Sequence, residues 1–122
     1  MIEELQNSLQ AELDKYKTTQ KEMQKALTQR QQLDGQLNEN MAVKQELDLL
    51  KTDNEVFKLV GPVLVKQDLV EAKENVMKRM DYIKAELARM DERVKDLSKK
   101  QDNHREAINK LQSLFQQAQS KA

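Results

Sequence analysis

The segment that decides the fold of this chain reads Val56-Phe57-Lys58-Leu59-Val60-Gly61-Pro62-Val63-Leu64-Val65-Lys66. Two short apolar runs rich in β-branched residues flank a Gly-Pro dipeptide, which is a strong turn signal. The runs are too short and too β-branched for a third helix. The pattern therefore predicts a small β-hairpin, with a buried loop as the alternative. A polar stretch, Lys51-Thr52-Asp53-Asn54, separates this segment from the sequence before it.

Downstream of this segment, apolar residues recur at alternating steps of three and four. That spacing produces a narrow stripe that keeps facing one partner helix when both helices supercoil. The stripe comprises Leu69, Val76, Met80, Ile83, Leu87, Met90, Val94, Leu97, Ile108, Leu111, Phe115 and Ala118. Asp68 followed by Glu71 resembles a capping box, and no Gly or Pro follows Pro62. A helix is therefore predicted from about Asp68 to Ser120.

Upstream of the segment, a similar but less regular stripe predicts a first helix. Its apolar members are Ile2, Leu5, Leu9, Leu13, Tyr16, Met23, Leu27, Leu33, Leu37, Met41, Leu47 and Leu50. Polar residues (Gln20, Arg30 and Lys44) stand where further apolar residues are expected. Asp34-Gly35 favours a turn, but the periodicity resumes beyond it without a phase break. A tolerated helical glycine, at a cost of about 1 kcal/mol, is therefore favoured over a hinge.

Two helices of similar length joined by a short corner fold back on each other. The predicted fold is mainly α, a long antiparallel two-helix coiled coil with one β-hairpin between the helices. We expect one domain over residues 1–122, with a helix at about 1–51, the hairpin at 52–67 and a helix at about 68–120.

A lone two-stranded hairpin is marginally stable in water, and its unpaired edges invite pairing with another chain. Closing several hairpins into a barrel removes such edges, so the sequence predicts an oligomer that assembles at the hairpin. The predicted assembly residues are Val56, Phe57, Leu59, Val60, Val63, Leu64 and Val65.

Charge and composition exclude several classes of function. Lys plus Arg and Asp plus Glu each number 21, so the chain lacks the basic excess that drives binding to nucleic acid or to an anionic membrane surface. There is no cysteine, which excludes disulfides and thiolate catalysis and fits a reducing compartment. The acidic start lacks the features of a secretory signal, and the longest apolar run is too short to span a bilayer. We expect a soluble cytoplasmic protein.

No constellation of residues points to an enzyme. With only two glycines there is no phosphate-binding loop, and the single histidine, His104, has no nucleophile to activate. A lone His without Cys or a second His is a poor metal site, so His104 is interpreted as a polar residue on the helix stripe. No catalytic residue, metal or cofactor is predicted.

Several stretches carry a resemblance to a known family. They are Val56–Gln67, Glu71-Ala72, Lys78-Arg79-Met80-Asp81-Tyr82-Ile83, Leu37-Asn38-Glu39-Asn40 and Val43-Lys44-Gln45-Glu46-Leu47. Together they closely resemble the β-class subunits of prefoldin, and the resemblance covers nearly the whole chain. It implies an ATP-independent chaperone subunit of a hetero-hexamer built from two α-class and four β-class subunits. The hairpins of such a hexamer form a double β-barrel platform that carries six coiled coils. Unfolded or nascent clients, notably actin and tubulin, are held at the coiled-coil tips and passed to the cytosolic chaperonin.

Under this resemblance, the free ends of the two helices are the predicted client-binding tips. A helix pair frays at its end and cannot fully bury a continuing apolar stripe. The candidates are Ile2, Leu5, Leu9, Leu111, Leu114 and Phe115. The alternative is that these residues only hold the helix ends together. A rival function, a structural coiled-coil tether or adaptor without chaperone activity, is disfavoured because a tether needs no Val-rich β corner.

Overall fold

The computed structural model describes residues 1–51 and 54–121. Along the chain, helix α1 (Ile2–Asp48) is followed by strands β1 (Val56–Val60) and β2 (Val63–Gln67) and by helix α2 (Leu69–Ser120). The predicted mainly α fold with one hairpin between two long helices is therefore confirmed. The first two positions of the expected hairpin segment, residues 52 and 53, lie outside the described residues.

Helix α1 runs without interruption through Gly35. The backbone there is not in the left-handed region, and a Cβ built on Gly35 meets no atom within 4 Å. The interpretation of Gly35 as a tolerated helical glycine is confirmed, because partner contacts along a long helix offset its propensity cost.

Helix α1 ends at Asp48, a few residues before the expected limit at 51. The next two amides continue in a tighter turn, with the Leu49 and Leu50 N–H groups donating to carbonyls three residues back at 3.2 Å. Lys51 and Asn54 then bond reciprocally. The Lys51 N–H donates to the Asn54 side-chain oxygen at 2.7 Å, and the Asn54 N–H donates to the Lys51 carbonyl at 3.0 Å. Such Asx-type bonding competes with helix continuation, which explains the early end.

The two strands pair antiparallel from Val56↔Gln67 to Val60↔Val63. The connection is the two-residue Gly61-Pro62 turn, in which Gly61 has φ 58°. A positive φ at the first central position followed by proline, whose φ is fixed negative, is the pattern of a type II′ turn. That turn matches the twist of the flanking strands, so the predicted hairpin is confirmed.

Helix α2 begins with the predicted cap. The Glu71 N–H donates to the Asp68 carboxylate at 3.3 Å, and the Ala72 N–H donates to the Asp68 carbonyl at 2.9 Å. Asp68 thus satisfies amides of the first turn that have no partner within the helix and places a negative charge at the positive end of the helix dipole.

The chain divides into two compact units, a hairpin unit (Arg30–Arg89) and a terminal unit (Met1–Gln29 with Met90–Ala122). The single domain expected over residues 1–122 stays a prediction. The core of the hairpin unit comprises Leu47, Ala72, Val76 and Met80, with Leu37, Leu50, Val56 and Leu69 packed against it. In the terminal unit, buried side chains include Thr19, Ala26, Leu97 and Ile108.

The predicted stripe on α2 is confirmed, because all of its residues are buried or half-buried. The stripe on α1 is partly wrong. Leu27 and Met41 are 46% and 42% exposed, whereas their neighbours Ala26 and Asn40 are buried and half-buried. The packed positions of α1 follow the three-four spacing even where the residue there is less apolar than its neighbour. The rotational position of a residue around the helix axis decides whether it faces the partner helix.

Thr19 shows how the packed face accepts polar residues. It is 5% exposed, and its hydroxyl donates to the Lys15 carbonyl at 2.9 Å. Its only polar side-chain atom is therefore satisfied within the helix, so its burial leaves no unmet hydrogen bond.

Candidate functional site

The hairpin carries apolar side chains on both of its faces. In an antiparallel pair, directly opposite residues share a face and neighbouring residues alternate. Phe57, Leu59 and Leu64 therefore lie on one face, whereas Val56, Val60, Val63 and Val65 lie on the other. A sheet that faces water on one side has a polar face, so this hairpin is built to be covered on both sides.

The structure places almost all of the predicted assembly residues at the surface. Phe57, Leu59, Val60, Val63, Leu64 and Val65 are exposed, with Leu59 at 68%, and Val56 alone is half-buried against the core of the hairpin unit. Among residues 1–51 and 54–121, β1 and β2 pair only with each other, so the outer edge of each strand is open. Open edges with apolar side chains are a template for pairing with another chain.

The predicted tip residues divide into two groups. Ile2 and Leu114 are 37% and 48% exposed, whereas Leu5, Leu9, Leu111 and Phe115 are half-buried. The structure brings Leu5 and Leu114 together in an open depression of about 410 Å³. Its other lining residues are Met1, Glu4, Ser8, Gln117, Ala118 and Lys121. The helix ends therefore combine both earlier interpretations, since some of these side chains hold the helices together and others face solvent.

Sequence reasoning missed further exposed apolar side chains in the hairpin unit. They are Val43, Leu49, Val70, Met77 and Tyr82. For the helical residues among them the signal was available, because each lies off the three-four stripe of its helix; Leu49 follows the end of α1. A position off the stripe is normally polar on a solvated helix, so apolar residues there mark surface that is open to a partner.

His104 lies half-buried on the packed face of α2, as predicted, and its partner is Glu12. The His104 Nδ1–H donates to the Glu12 carboxylate, with 2.9 Å between the two atoms. This hydrogen bond lowers the pKa of Glu12 from its ordinary value, partial burial opposes the shift, and nearby Lys15 supports it. The next residue, Arg105, donates to the hydroxyl of Tyr16, one turn along α1 from Glu12, at 3.3 Å and lies over its ring. Both pairs tie the two helix segments of the terminal unit together.

The described residues contain no group of three or more His, Cys, Asp or Glu arranged to hold a metal ion. Within the same ranges, 1–51 and 54–121, no helix combines the length and the hydrophobicity that crossing a membrane requires.

Comparison with known proteins agrees with this geometry. A family profile described as "Prefoldin subunit" matches residues 10–117. Prefoldin subunit 6 of Homo sapiens is 48% identical over 120 residues, which cover 98% of this chain and 93% of that protein. Prefoldin subunit 6 of Arabidopsis thaliana is 46% identical over 119 residues, which cover 98% of this chain and 92% of that one.

Among solved structures, the crystal structure of the prefoldin beta subunit from Thermococcus strain KS-1 matches with a TM-score of 0.70. The match covers 90% of both chains at 24% sequence identity, and it shows that the two proteins share a fold. The family profile covers most of the chain, and the relatives share nearly half of their residues with it. This chain therefore belongs to the prefoldin family and is a prefoldin co-chaperone subunit.

Proposed function

We propose that this chain works in a cytoplasmic prefoldin hetero-hexamer that binds unfolded or nascent proteins, actin and tubulin among them, and delivers them to the cytosolic chaperonin. The observation that carries the proposal is the hairpin whose exposed apolar side chains lie on both faces, set between two long helices. Membership of a co-chaperone family favours this function over the structural tether.

The hairpin supports assembly with other α- and β-class prefoldin subunits. Its exposed Val, Leu and Phe side chains gain free energy when they leave water, at roughly 25 cal/mol per Å² of apolar surface. Its open edges also need backbone partners, because an unpaired N–H or C=O that becomes buried is costly. Hairpins of other subunits satisfy both needs together.

The helix ends support client binding. The depression that contains Leu5 and Leu114 is open and mixes apolar with polar side chains. Hydrophobic attraction is non-directional, so such a surface suits clients that have no fixed shape. Holding an unfolded chain in this way needs neither ATP nor a cofactor, and we infer that the chain works without catalysis.

The test is reconstitution followed by a client assay. The purified chain is mixed with the other prefoldin subunits, the mass is measured by native mass spectrometry, and aggregation of chemically unfolded actin is followed with and without the assembly. We expect a hexamer that suppresses aggregation without added ATP. A stable homodimer that ignores both the other subunits and the client would overturn the proposal in favour of the tether.

A further inference from the structure

A cleft of about 400 Å³ lies between the hairpin and the helix segments next to it, entirely within the hairpin unit. Its apolar lining comprises Val43, Leu47, Val56, Phe57, Leu59, Ala72 and Val76. Its polar lining comprises Lys58, Gln67, Asn75 and Arg79. Its volume falls in the range of roughly 300–1,000 Å³ that is typical of sites that bury a bound group.

Two cations of this cleft have no ion-pair partner within the described part of the chain. No carboxylate among residues 1–51 and 54–121 forms an ion pair with Lys58 or Arg79. Other lysines of the hairpin unit are paired, since Lys44 lies 3.0 Å and Lys73 3.8 Å from Asp48 and Lys66 lies 3.8 Å from Glu55. The cleft thus has an apolar wall and positive charges that no described acidic residue neutralises.

The cleft is also continuous with the hairpin surface. Residues 56–59 of β1 line it, and the same residues include Val56, Phe57 and Leu59 of the predicted assembly set. A chain that pairs with or packs on β1 therefore comes to lie beside Val43 and Arg79.

We propose that this cleft is a docking site for a neighbouring prefoldin subunit, which inserts an apolar side chain and places an adjacent carboxylate against Arg79 and Lys58. The inference rests on the proposed function, namely that the chain assembles through its hairpin. The apolar wall supplies attraction, whereas the charge pairing fixes the register and speeds encounter, which is the usual role of electrostatic complementarity at an interface.

The test compares Arg79→Glu with Lys84→Glu in assembly with the other prefoldin subunits. Lys84 is an exposed cation on the same helix that does not line the cleft. For Arg79→Glu we expect an apparent dissociation constant about tenfold higher and a weaker dependence on salt, because the reversed charge repels the partner carboxylate. Lys84→Glu is expected to match the unaltered chain in both measurements.

A second pair of variants tests the apolar wall. Val43→Ser removes a half-exposed side chain of the cleft, and Met41→Ser removes a side chain of similar exposure on the same helix that does not line it. We expect Val43→Ser to weaken assembly several-fold and Met41→Ser to leave it unchanged. Circular dichroism of each variant verifies the fold, and Arg79→Gln, a smaller change, replaces Arg79→Glu if the charge reversal prevents folding.

The outcomes separate this inference from the proposed function. If Val60→Asp in the hairpin abolishes assembly while the Arg79 and Val43 variants assemble as tightly as the unaltered chain, with the same salt dependence, the docking site is wrong and the proposed function stands. If Val60→Asp assembles normally, Val60 lies outside the subunit interface. If the unaltered chain itself does not assemble with the other prefoldin subunits, the proposed function fails.

Discussion

The hairpin and the helix ends are both apolar surfaces, but they differ in how their backbones are satisfied. A helix pairs its own N–H and C=O groups except in its first and last turns, so Leu114 projects from a backbone that needs no partner. A two-stranded hairpin leaves an open edge on each strand and apolar side chains on both faces. The partner of the hairpin must therefore supply backbone groups in register. A partner of the helix ends needs to supply only apolar surface.

This difference connects structure with function. Backbone pairing is geometrically demanding and suits a permanent subunit contact, because register fixes which face each side chain occupies. Non-directional apolar contact suits a variable partner such as an unfolded client. Four predictions test the comparison.

The largest effect is expected from Val60→Asp in the hairpin. Covering a carboxylate with a second hairpin removes it from water without a counter-charge, which costs several kcal/mol. Incorporation into the hexamer, measured by co-purification with the other subunits, should fall by roughly a hundredfold or more. Leu27→Asp, which changes a side chain of similar exposure on α1, serves as the control and should still assemble. Normal incorporation of Val60→Asp would show that this residue does not lie in a subunit interface.

The next effect concerns the helix ends. Replacing Leu114 and Phe115 with Ser should leave the hexamer intact and weaken suppression of client aggregation, because each buried apolar side chain contributes about 1.5–3 kcal/mol to a contact. Phe115 is half-buried, so Leu114→Ser alone is measured as well, since it leaves the helix packing in place. Leu27→Ser with Met41→Ser removes exposed apolar surface elsewhere on the helices and should not affect the client assay. Unchanged holdase activity in both Leu114 variants would eliminate these residues as a client site.

A smaller effect is expected at the two glycines, where replacement by alanine should change the free energy of unfolding in opposite directions. Gly61 has φ 58°, so Gly61→Ala forces an L side chain into the left-handed region and should destabilise the hairpin by about 1–2 kcal/mol. Gly35 is helical with open space around it, so Gly35→Ala should stabilise the fold by up to about 1 kcal/mol. Urea denaturation of the two variants under identical conditions measures both changes. Shifts of the same sign would contradict the backbone conformations described above.

The smallest effect concerns pH. The hydrogen bond from His104 lowers the pKa of Glu12 in the folded state below its ordinary value of 4.5. The stabilisation is therefore present above about pH 4.5 and is lost as the pH falls through the lower folded-state pKa. Glu12→Gln should flatten the acid side of a thermal-stability profile between about pH 5 and 3. Glu22→Gln, a half-buried Glu on the same helix, is the matched control, and an equal flattening in both variants would refute the assignment to Glu12.

Much of the fold could be predicted from the sequence, and particular residues show where prediction stopped. The Gly61-Pro62 turn, the Asp68 cap and the stripe on α2 follow from local chemistry, and all three are confirmed. On α1 the choice of Leu27 over Ala26 and of Met41 over Asn40 was wrong. Which of two adjacent helical residues is buried depends on how the helix is rotated against its partner. The hydrophobicity of the two residues does not reveal that rotation.

The sequence predicted which segments carry the candidate sites, but not which of their side chains are exposed or lie side by side. Leu114 and Leu111 read alike as apolar residues near the end of the chain, yet only Leu114 is exposed. The cleft beside β1 combines Val43 with Arg79, which are distant in sequence and lie in different helices. No local pattern links such residues, because packing brings them together.

The sequence by itself determined the order of the elements, the turn and the cap, since each depends on residues only a few positions apart. It also predicted that the Val56–Lys66 segment mediates assembly, because a lone two-stranded hairpin is at best marginally stable in water. The tertiary structure decided which side chains along α1 pack, which residues at the helix ends face solvent, and that a partly basic cleft borders the hairpin. Those outcomes depend on how the helices and strands are rotated and placed against each other, which is fixed only when they pack.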